Sequence, residues 1–188
     1  MFDHFDILAP IYDNFIKAKP PETLTTLAEL SSSDRLLDAG GGTGRISQYF
    51  EPLVTHVIIA DPSIQMLAKS QTKNGLDPVN SHSEMLPFPD KSFDRIIMVD
   101  ALHHVCDQSK TALELWRVLK PAGKIVIEEP DIHTWGVKLL ALAEKLVLMR
   151  SHFLSGREID DLFSSLPAAI KIHSEDHFVW VVITKDPE

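Results

Sequence analysis

The stretch LLDAGGGTG at residues 36–44 decides how the rest of the chain is interpreted. Two branched apolar residues lead into Asp38, and four glycines follow within five positions. This pattern is typical of a buried strand that ends in a loop whose backbone comes very close to another group. Residues 45–50 predict a helix, and a strand, a glycine loop and a helix in this order open a doubly wound α/β domain. The loop is therefore the first candidate for a nucleotide-like cofactor site.

The spacing of the glycines discriminates between two classes of cofactor. A dinucleotide fingerprint has the form G-x-G-x-x-G, and its last position would fall on Arg45 or Ser47 in this chain. A nicotinamide-dependent oxidoreductase is therefore disfavoured. The spacing fits acid-x-Gly-x-Gly-x-Gly instead, with Asp38 as the acid. A carboxylate at this place can favour a bound ammonium group, whereas a pyrophosphate needs amide donors at a helix N-terminus.

This spacing resembles the first motif of the class I S-adenosylmethionine-dependent methyltransferases. The resemblance implies an α/β fold, a three-layer Rossmann-like sandwich whose seven-stranded, mostly parallel sheet has the order 3-2-1-4-5-7-6 and an antiparallel last strand. It also implies S-adenosylmethionine as cofactor, S-adenosylhomocysteine as product and no metal. The residues of the first loop that it assigns to the cofactor are Asp38, Gly40, Gly41, Gly42 and Gly44. A glycine-rich turn that binds no ligand is the alternative.

A second strand is predicted by the apolar run at residues 54–60, which ends in Asp61 and Pro62. An acid about 20 residues beyond the first loop is where a ribose diol is held by two hydrogen bonds to one carboxylate. Asp61 is therefore the strongest single candidate, and Pro62 lies beside it. The alternative role of Asp61 is the N-cap of a helix over residues 63–71.

The stretch HSEMLPFPDKSFD at residues 82–94 resembles the acid-Ala-Glu-x-Leu-Pro-Phe signature of the same superfamily. The resemblance implies that the first residue accepts a hydrogen bond from the adenine amino group and that the amide of the next reaches a ring nitrogen. Here His82 stands where the family has the acid. The backbone contact through Ser83 is compatible with that change, and Glu84 completes this part of the predicted cofactor site.

Candidate catalytic residues come from two further stretches. A strand over residues 95–99 is followed by Asp100 and by LHHV, and ligands lie beyond the carboxyl ends of strands in such folds. Asp100 is assigned to the cofactor and His104 is a candidate base. The segment FDILAPIYD at residues 5–13 resembles the N-terminal segment of the ubiquinone/menaquinone branch of these methyltransferases, in which a tyrosine lines the site. Tyr12 is therefore a candidate for cofactor binding and catalysis, although it is equally consistent with packing alone.

The second half of the chain predicts the end of the sheet and the acceptor side. The motif RVLKPAGK at 117–124 predicts a sharp turn between a helix over 112–119 and a fifth strand over 124–128. The acids that follow, Glu128, Glu129 and Asp131, are either acceptor contacts or a solvated rim. A capping box at 155–158 begins the last helix, and runs at 170–173 and 178–184 predict a closing hairpin.

Composition limits the remaining possibilities. We expect one domain over 1–188, in which 1–33 form helices over the cofactor and 131–166 form variable helices on the substrate side. The net charge of −9 disfavours nucleic acid and anionic membrane, and no apolar run is long enough for membrane insertion. The single Cys106 is consistent with a cytoplasmic location. The apolar helix predicted over 135–149 would cover an apolar acceptor or form a homodimer contact.

The sequence therefore predicts a methyltransferase that acts on a small acceptor by in-line methyl transfer. Because its motifs indicate cofactor binding more directly than catalysis, a non-catalytic S-adenosylmethionine-binding sensor or scaffold is the alternative.

Overall fold

A seven-stranded sheet with the order β3-β2-β1-β4-β5-β7-β6 forms the centre of the computed structural model, which describes residues 21–133 and 152–187. β1 to β5 are parallel, and β7 is antiparallel to both of its neighbours. The strand order and the reversed last strand predicted from the sequence are confirmed. The strands are β1 Arg35–Ala39, β2 His56–Asp61, β3 Leu76–Asn80, β4 Phe93–Val99, β5 Leu119–Pro130, β6 Ala168–Glu175 and β7 Phe178–Lys185.

Helices cover both faces of this sheet, which gives three layers. One face packs on α1 (Glu22–Ala28) and α2 (Ile64–Ser70), and the other packs on α3 (Gln108–Val118) and α4 (Gly156–Phe163). Neighbouring residues of β1 pack against different layers. Leu36 lies in the apolar cluster that includes α1 and α2, and Leu37 lies in the cluster that includes α3 and α4. This is why the central strands are continuous apolar runs rather than alternating ones.

The chain after the glycine loop does not form the predicted helix over 45–50. Two short 3-10 helices, Ser47–Tyr49 and Glu51–Leu53, take its place. Pro52 has no amide hydrogen and its ring collides with the preceding turn of an α-helix, so a regular helix cannot continue through it. Phe50 is instead fully buried between the two short helices.

The predicted turn before the fifth strand is a bulge. β5 begins at Leu119, directly after α3, and its partner on β4 shifts from Phe93 opposite Leu119 to Arg95 opposite Lys124. Ala122 has a φ of 59° within this irregularity. The extra residues are thus accommodated inside a paired strand.

The last part of the described chain follows the prediction with shifted ends. Ser155 and Glu158 form the predicted capping box of α4, which ends at Phe163. β6 and β7 form the closing hairpin. The helices predicted in the first 20 residues and over 135–149 lie outside the described residues. No helix within the described ranges is long and apolar enough to cross a membrane.

Candidate active site

The glycine loop and the end of β2 meet at the carboxyl edge of the sheet. Gly40 N donates to the carbonyl of Ala60 at 2.7 Å, and Gly42 N donates to Asp61 Oδ2 at 3.0 Å. Two stretches that the sequence separates by about 20 residues therefore border one site, as the motif spacing predicted.

The glycines of the loop serve different purposes. A Cβ on Gly42 would have Asp61 Oδ2 as its nearest neighbour, at 3.9 Å, so the position faces open space. A Cβ on Gly44 would lie 2.6 Å from Leu76 Cδ1, and one on Gly40 would lie 2.6 Å from Ala101 Cβ. Gly42 is thus the glycine that leaves room beside the loop, whereas Gly40 and Gly44 are required by packing.

Asp61 is a buried, fixed carboxylate. Its side chain is 8% exposed, Oδ1 accepts from Ser63 N at 2.8 Å, and Oδ2 accepts from Gly42 N. Ser63 is the N-cap of α2, because its hydroxyl accepts from Met66 N, so the alternative N-cap role of Asp61 is wrong. Each carboxylate oxygen carries two lone pairs, so the Asp61 carboxylate is a hydrogen-bond acceptor held in a fixed direction. Pro62 beside it is exposed.

Asp38 carries an unsatisfied oxygen beneath the glycine loop. Ser47 Oγ donates to Asp38 Oδ2 at 2.5 Å, while the buried Oδ1 has no hydrogen-bond partner among the described residues. Burial raises the pKa of Asp38 to about 6, against the opposing effect of the Ser47 hydrogen bond. An orphaned buried carboxylate oxygen is costly to a fold. It suits a ligand that brings a donor, such as an ammonium group.

The predicted adenine side is held against the start of α3. Ser83 is buried and His82 is exposed. Glu84 Oε1 accepts from the amides of Cys106 and Asp107, at 2.8 and 3.3 Å. Glu84 therefore fixes the position of this turn, and the Ser83 backbone remains the candidate contact.

Asp100 and Arg45 connect the end of β4 to the glycine loop. Arg45 Nη2 donates to Asp100 Oδ2 at 2.9 Å in an ion pair, and Asp100 has a φ of 51°. Burial raises the pKa of Asp100, although Arg45 acts in the opposite direction. A strained residue at the end of a strand is often part of a functional site. The predicted position of Asp100 at the site is consistent with this geometry.

For Glu129, the sequence left two roles open, a contact with the acceptor or a place in a solvated rim. It is 1% exposed, and its Oε1 accepts from the amides of Ala101 and Leu102 at 3.1 and 2.8 Å. Its Oε2 pairs with His103 Nδ1. Glu129 is therefore a buried support of the loop after β4 and not part of a solvated rim.

The candidate base His104 lies against this support. Its ring centroid is 3.9 Å from that of His103, which also stacks on Phe153 at 4.2 Å. Burial and the neighbouring His103 lower the pKa of His104 to about 3. His104 is therefore a weak base at neutral pH. Tyr12, the other catalytic candidate, lies outside the described residues.

Glu128 points to the opposite face of β5. Trp180 on β7 lies directly opposite it, and Trp180 Nε1 donates to Glu128 Oε2 at 2.5 Å. Burial raises the pKa of Glu128 to about 7, and the nearby Asp100 adds to this rise. A carboxylate of this pKa can exchange a proton at neutral pH. The sequence had named Glu128 only as one of three acids.

Comparison with known proteins agrees with this geometry. Residues 37–127 match the family model described as a methyltransferase domain. The ubiquinone/menaquinone biosynthesis C-methyltransferase UbiE of Vibrio campbellii is 39% identical over 105 residues, which cover 50% of this chain and 40% of that protein. Residues 37–127 therefore resemble a methyltransferase domain in sequence. The chain spans about two fifths of the length of the curated relatives it matches.

Solved structures share its fold over nearly the whole length. An S-adenosylmethionine-dependent methyltransferase from Aquifex aeolicus has a TM-score of 0.73 at 17% identity, covering 98% of this chain and 99% of that chain. The 4+2 cyclase SpnF has a TM-score of 0.78 at 13% identity, covering 98% of this chain and 94% of that chain. Since proteins with different names share this architecture, the likeness shows the fold alone.

Proposed function

We propose that this protein transfers a methyl group from S-adenosylmethionine to a small acceptor molecule. The observation that carries the proposal is the contact of Gly42 N with Asp61 Oδ2 at 3.0 Å, beside the open space at the Gly42 Cβ position. A backbone with room next to it and a fixed carboxylate border the same space. This arrangement suits a ligand with a hydroxylated sugar that must lie close to the chain.

The residues of this edge fit the parts of S-adenosylmethionine. Asp61 would accept hydrogen bonds from the ribose hydroxyls, and the unsatisfied Oδ1 of Asp38 would face the ammonium group. The Ser83 amide would contact the adenine ring, with His82 and Pro62 at the exposed side. The cofactor would supply a methyl group that its positive sulfur already activates. The task of the chain is then to align the two reactants in line and exclude water.

The acceptor is proposed from different observations than the cofactor. UbiE is named for C-methylation in ubiquinone and menaquinone biosynthesis, but the family match ends at residue 127. Acceptor contacts would come from the segments beyond it, where 131–166 were predicted to form the substrate side. We therefore propose a small acceptor, of apolar character if residues 135–149 cover it. No nucleic acid and no metal enter this proposal.

The wider organisation of the protein stays a prediction. It comprises a single domain over 1–188, a cytoplasmic location consistent with the single cysteine, and a homodimer contact as the alternative role of residues 135–149. Measurement of molecular mass by light scattering, for the parent and for Leu139→Glu with Leu146→Glu, checks the dimer. An unchanged monomeric mass before and after the substitutions contradicts it.

Calorimetry and turnover test the function in sequence. We expect S-adenosylmethionine and S-adenosylhomocysteine to bind the protein. We also expect S-adenosylhomocysteine to be released when a panel of amines, phenols and quinols is offered as acceptors. Binding that persists without turnover on any acceptor favours the sensor or scaffold alternative. Absence of binding by both ligands to the folded protein contradicts the proposal.

A further inference from the structure

The carboxylates at the acceptor end of the sheet differ in how their charge is balanced. Asp100 is paired with Arg45, and Glu129 is paired with His103. In the described ranges, the hydrogen bond that reaches the Glu128 carboxylate comes from the uncharged indole of Trp180. Of these three carboxylates, Glu128 is the one that no cationic side chain of the described residues contacts.

The position of Glu128 follows from the strand order. Asp61 and Asp38 lie on β2 and β1, Asp100 follows β4, and Glu128 lies on β5, the next strand in the sheet. Asp100 N donates to the Glu128 carbonyl at 3.0 Å, so the two residues are direct neighbours across the strands. Glu128 thus lies one strand further than Asp100 from Asp61, the carboxylate proposed to bind the ribose. It is also the first residue beyond the segment that matches the family model.

We propose that Glu128 receives the proton that the acceptor's nucleophile loses on methylation. The proposal rests on the proposed function and limits the acceptor to molecules that react through an N–H or O–H group. The nucleophile's lone pair forms the bond to the methyl carbon as the carbon–sulfur bond breaks, and that bond's electron pair stays on sulfur. The proton passes to the Glu128 carboxylate and from there to water.

The surroundings of Glu128 suit a proton acceptor at neutral pH. Burial raises its pKa to about 7, with the Trp180 hydrogen bond opposing this rise. Of the charged groups near it, Asp100 and Glu129 raise the pKa further, and Arg45 lowers it. On the neighbouring strand β6, the His173 ring lies 5.6 Å from the Trp180 ring and is tilted by 45° to it. A base is most effective when its pKa lies near the working pH, which favours Glu128 over His104.

Trp180 provides a reporter that needs no acceptor. The Trp116→Phe, Trp135→Phe background leaves Trp180 as the single tryptophan, and its emission is followed against pH. We expect a transition near pH 7 that Glu128→Gln abolishes and the matched control Glu175→Gln retains. Saturating S-adenosylmethionine should lower the midpoint by roughly one pH unit relative to saturating S-adenosylhomocysteine. A single positive charge at about 12 Å gives a shift of this size at an effective dielectric constant of about 20.

The two ligands differ in the charge on sulfur, so a difference between their midpoints of this size or larger shows that Glu128 lies within about 12 Å of the sulfur. Equal midpoints with both ligands overturn the inference, as does a transition that survives in Glu128→Gln. If calorimetry shows that neither ligand binds, the proposed function fails and this inference fails with it. If both bind and the midpoints agree, only the role of Glu128 is refuted.

Discussion

Substitution of alanine at two glycines of the same loop should separate cofactor binding from stability. Gly42 and Gly44 have φ values of 54° and 71°, so either alanine would be strained by about 1–2 kcal/mol. Loss of flexibility in the unfolded chain returns about 0.4–1 kcal/mol of this strain. Gly42→Ala should therefore lower the free energy of unfolding by only about 1 kcal/mol, because the nearest atom of the described residues to its Cβ is Asp61 Oδ2, at 3.9 Å.

Gly44→Ala adds a collision to the same strain. Its Cβ would lie 2.6 Å from Leu76 Cδ1 and 2.9 Å from Ile59 Cδ1, and overpacking of this kind costs about 1–3 kcal/mol. We expect a total loss of roughly 2–4 kcal/mol in urea unfolding. Affinity for S-adenosylmethionine, measured on the fraction that remains folded, should stay close to that of the parent.

We expect Gly42→Ala to be the more stable of the two variants and the weaker binder of S-adenosylmethionine. The Gly42→Ala methyl group would occupy the space beside the loop and should weaken S-adenosylmethionine binding at least tenfold, or about 1.4 kcal/mol. Isothermal calorimetry and urea unfolding on both variants give the four numbers needed. Parental affinity in Gly42→Ala would refute the placement of the cofactor against this glycine. Equal stability losses in the two variants would refute the distinction between room and packing.

Three further outcomes follow from the site. Asp61→Ala should weaken S-adenosylmethionine binding by about 2 kcal/mol in calorimetry, with the exposed Asp77→Ala unchanged; equal affinities in the two variants speak against the ribose contact. Because burial raises the Asp38 pKa to about 6 from 3.8, the parent should lose up to about 3 kcal/mol of stability between pH 4 and pH 7. Asp38→Asn should remove this loss in urea unfolding yet bind the cofactor more weakly, and an unchanged pH dependence contradicts the reasoning. Glu129→Ala should cost at least about 3 kcal/mol of stability, since it removes the buried carboxylate that pairs with His103 and accepts from two amides, and a loss below 1 kcal/mol would show that the pair is not needed.

The parts of the fold that the sequence predicted are those with local signals. The strand–glycine loop order, the acid at the end of β2 and the capping box of α4 depend on neighbouring residues, and all three are present. The bulge in β5 was predicted as a turn because Lys-Pro-Ala-Gly is typical of turns. Whether such residues leave the sheet depends on the pairing of Phe93 and Arg95 with β5, which is 26 or more residues away in sequence.

The residues of the candidate site also differ in whether a local sequence signal or a contact with a distant residue determines their position. The position of Asp61 beside the glycine loop could be predicted because it depends on where a strand ends. The contrast between Glu128 and Glu129 could not, although the two residues are adjacent. Glu129 is buried because His103 and the amides after β4 surround its face, and Glu128 meets Trp180, which is 52 residues later in the chain. Only the paired strands bring these partners together.

The family match and the strand order divide the edge of the sheet in the same place. The matched segment, residues 37–127, contains the glycine loop, Asp61, Ser83 and Asp100, which are the groups that suit the cofactor. Glu128 and Trp180 lie beyond it, on the two strands that continue the sheet past β4. Because β5 and β7 are antiparallel, Trp180 reaches Glu128 at the carboxyl end of β5 and not at its beginning. Chemistry that differs between relatives can therefore change in β5 and β7 while the cofactor half keeps its geometry.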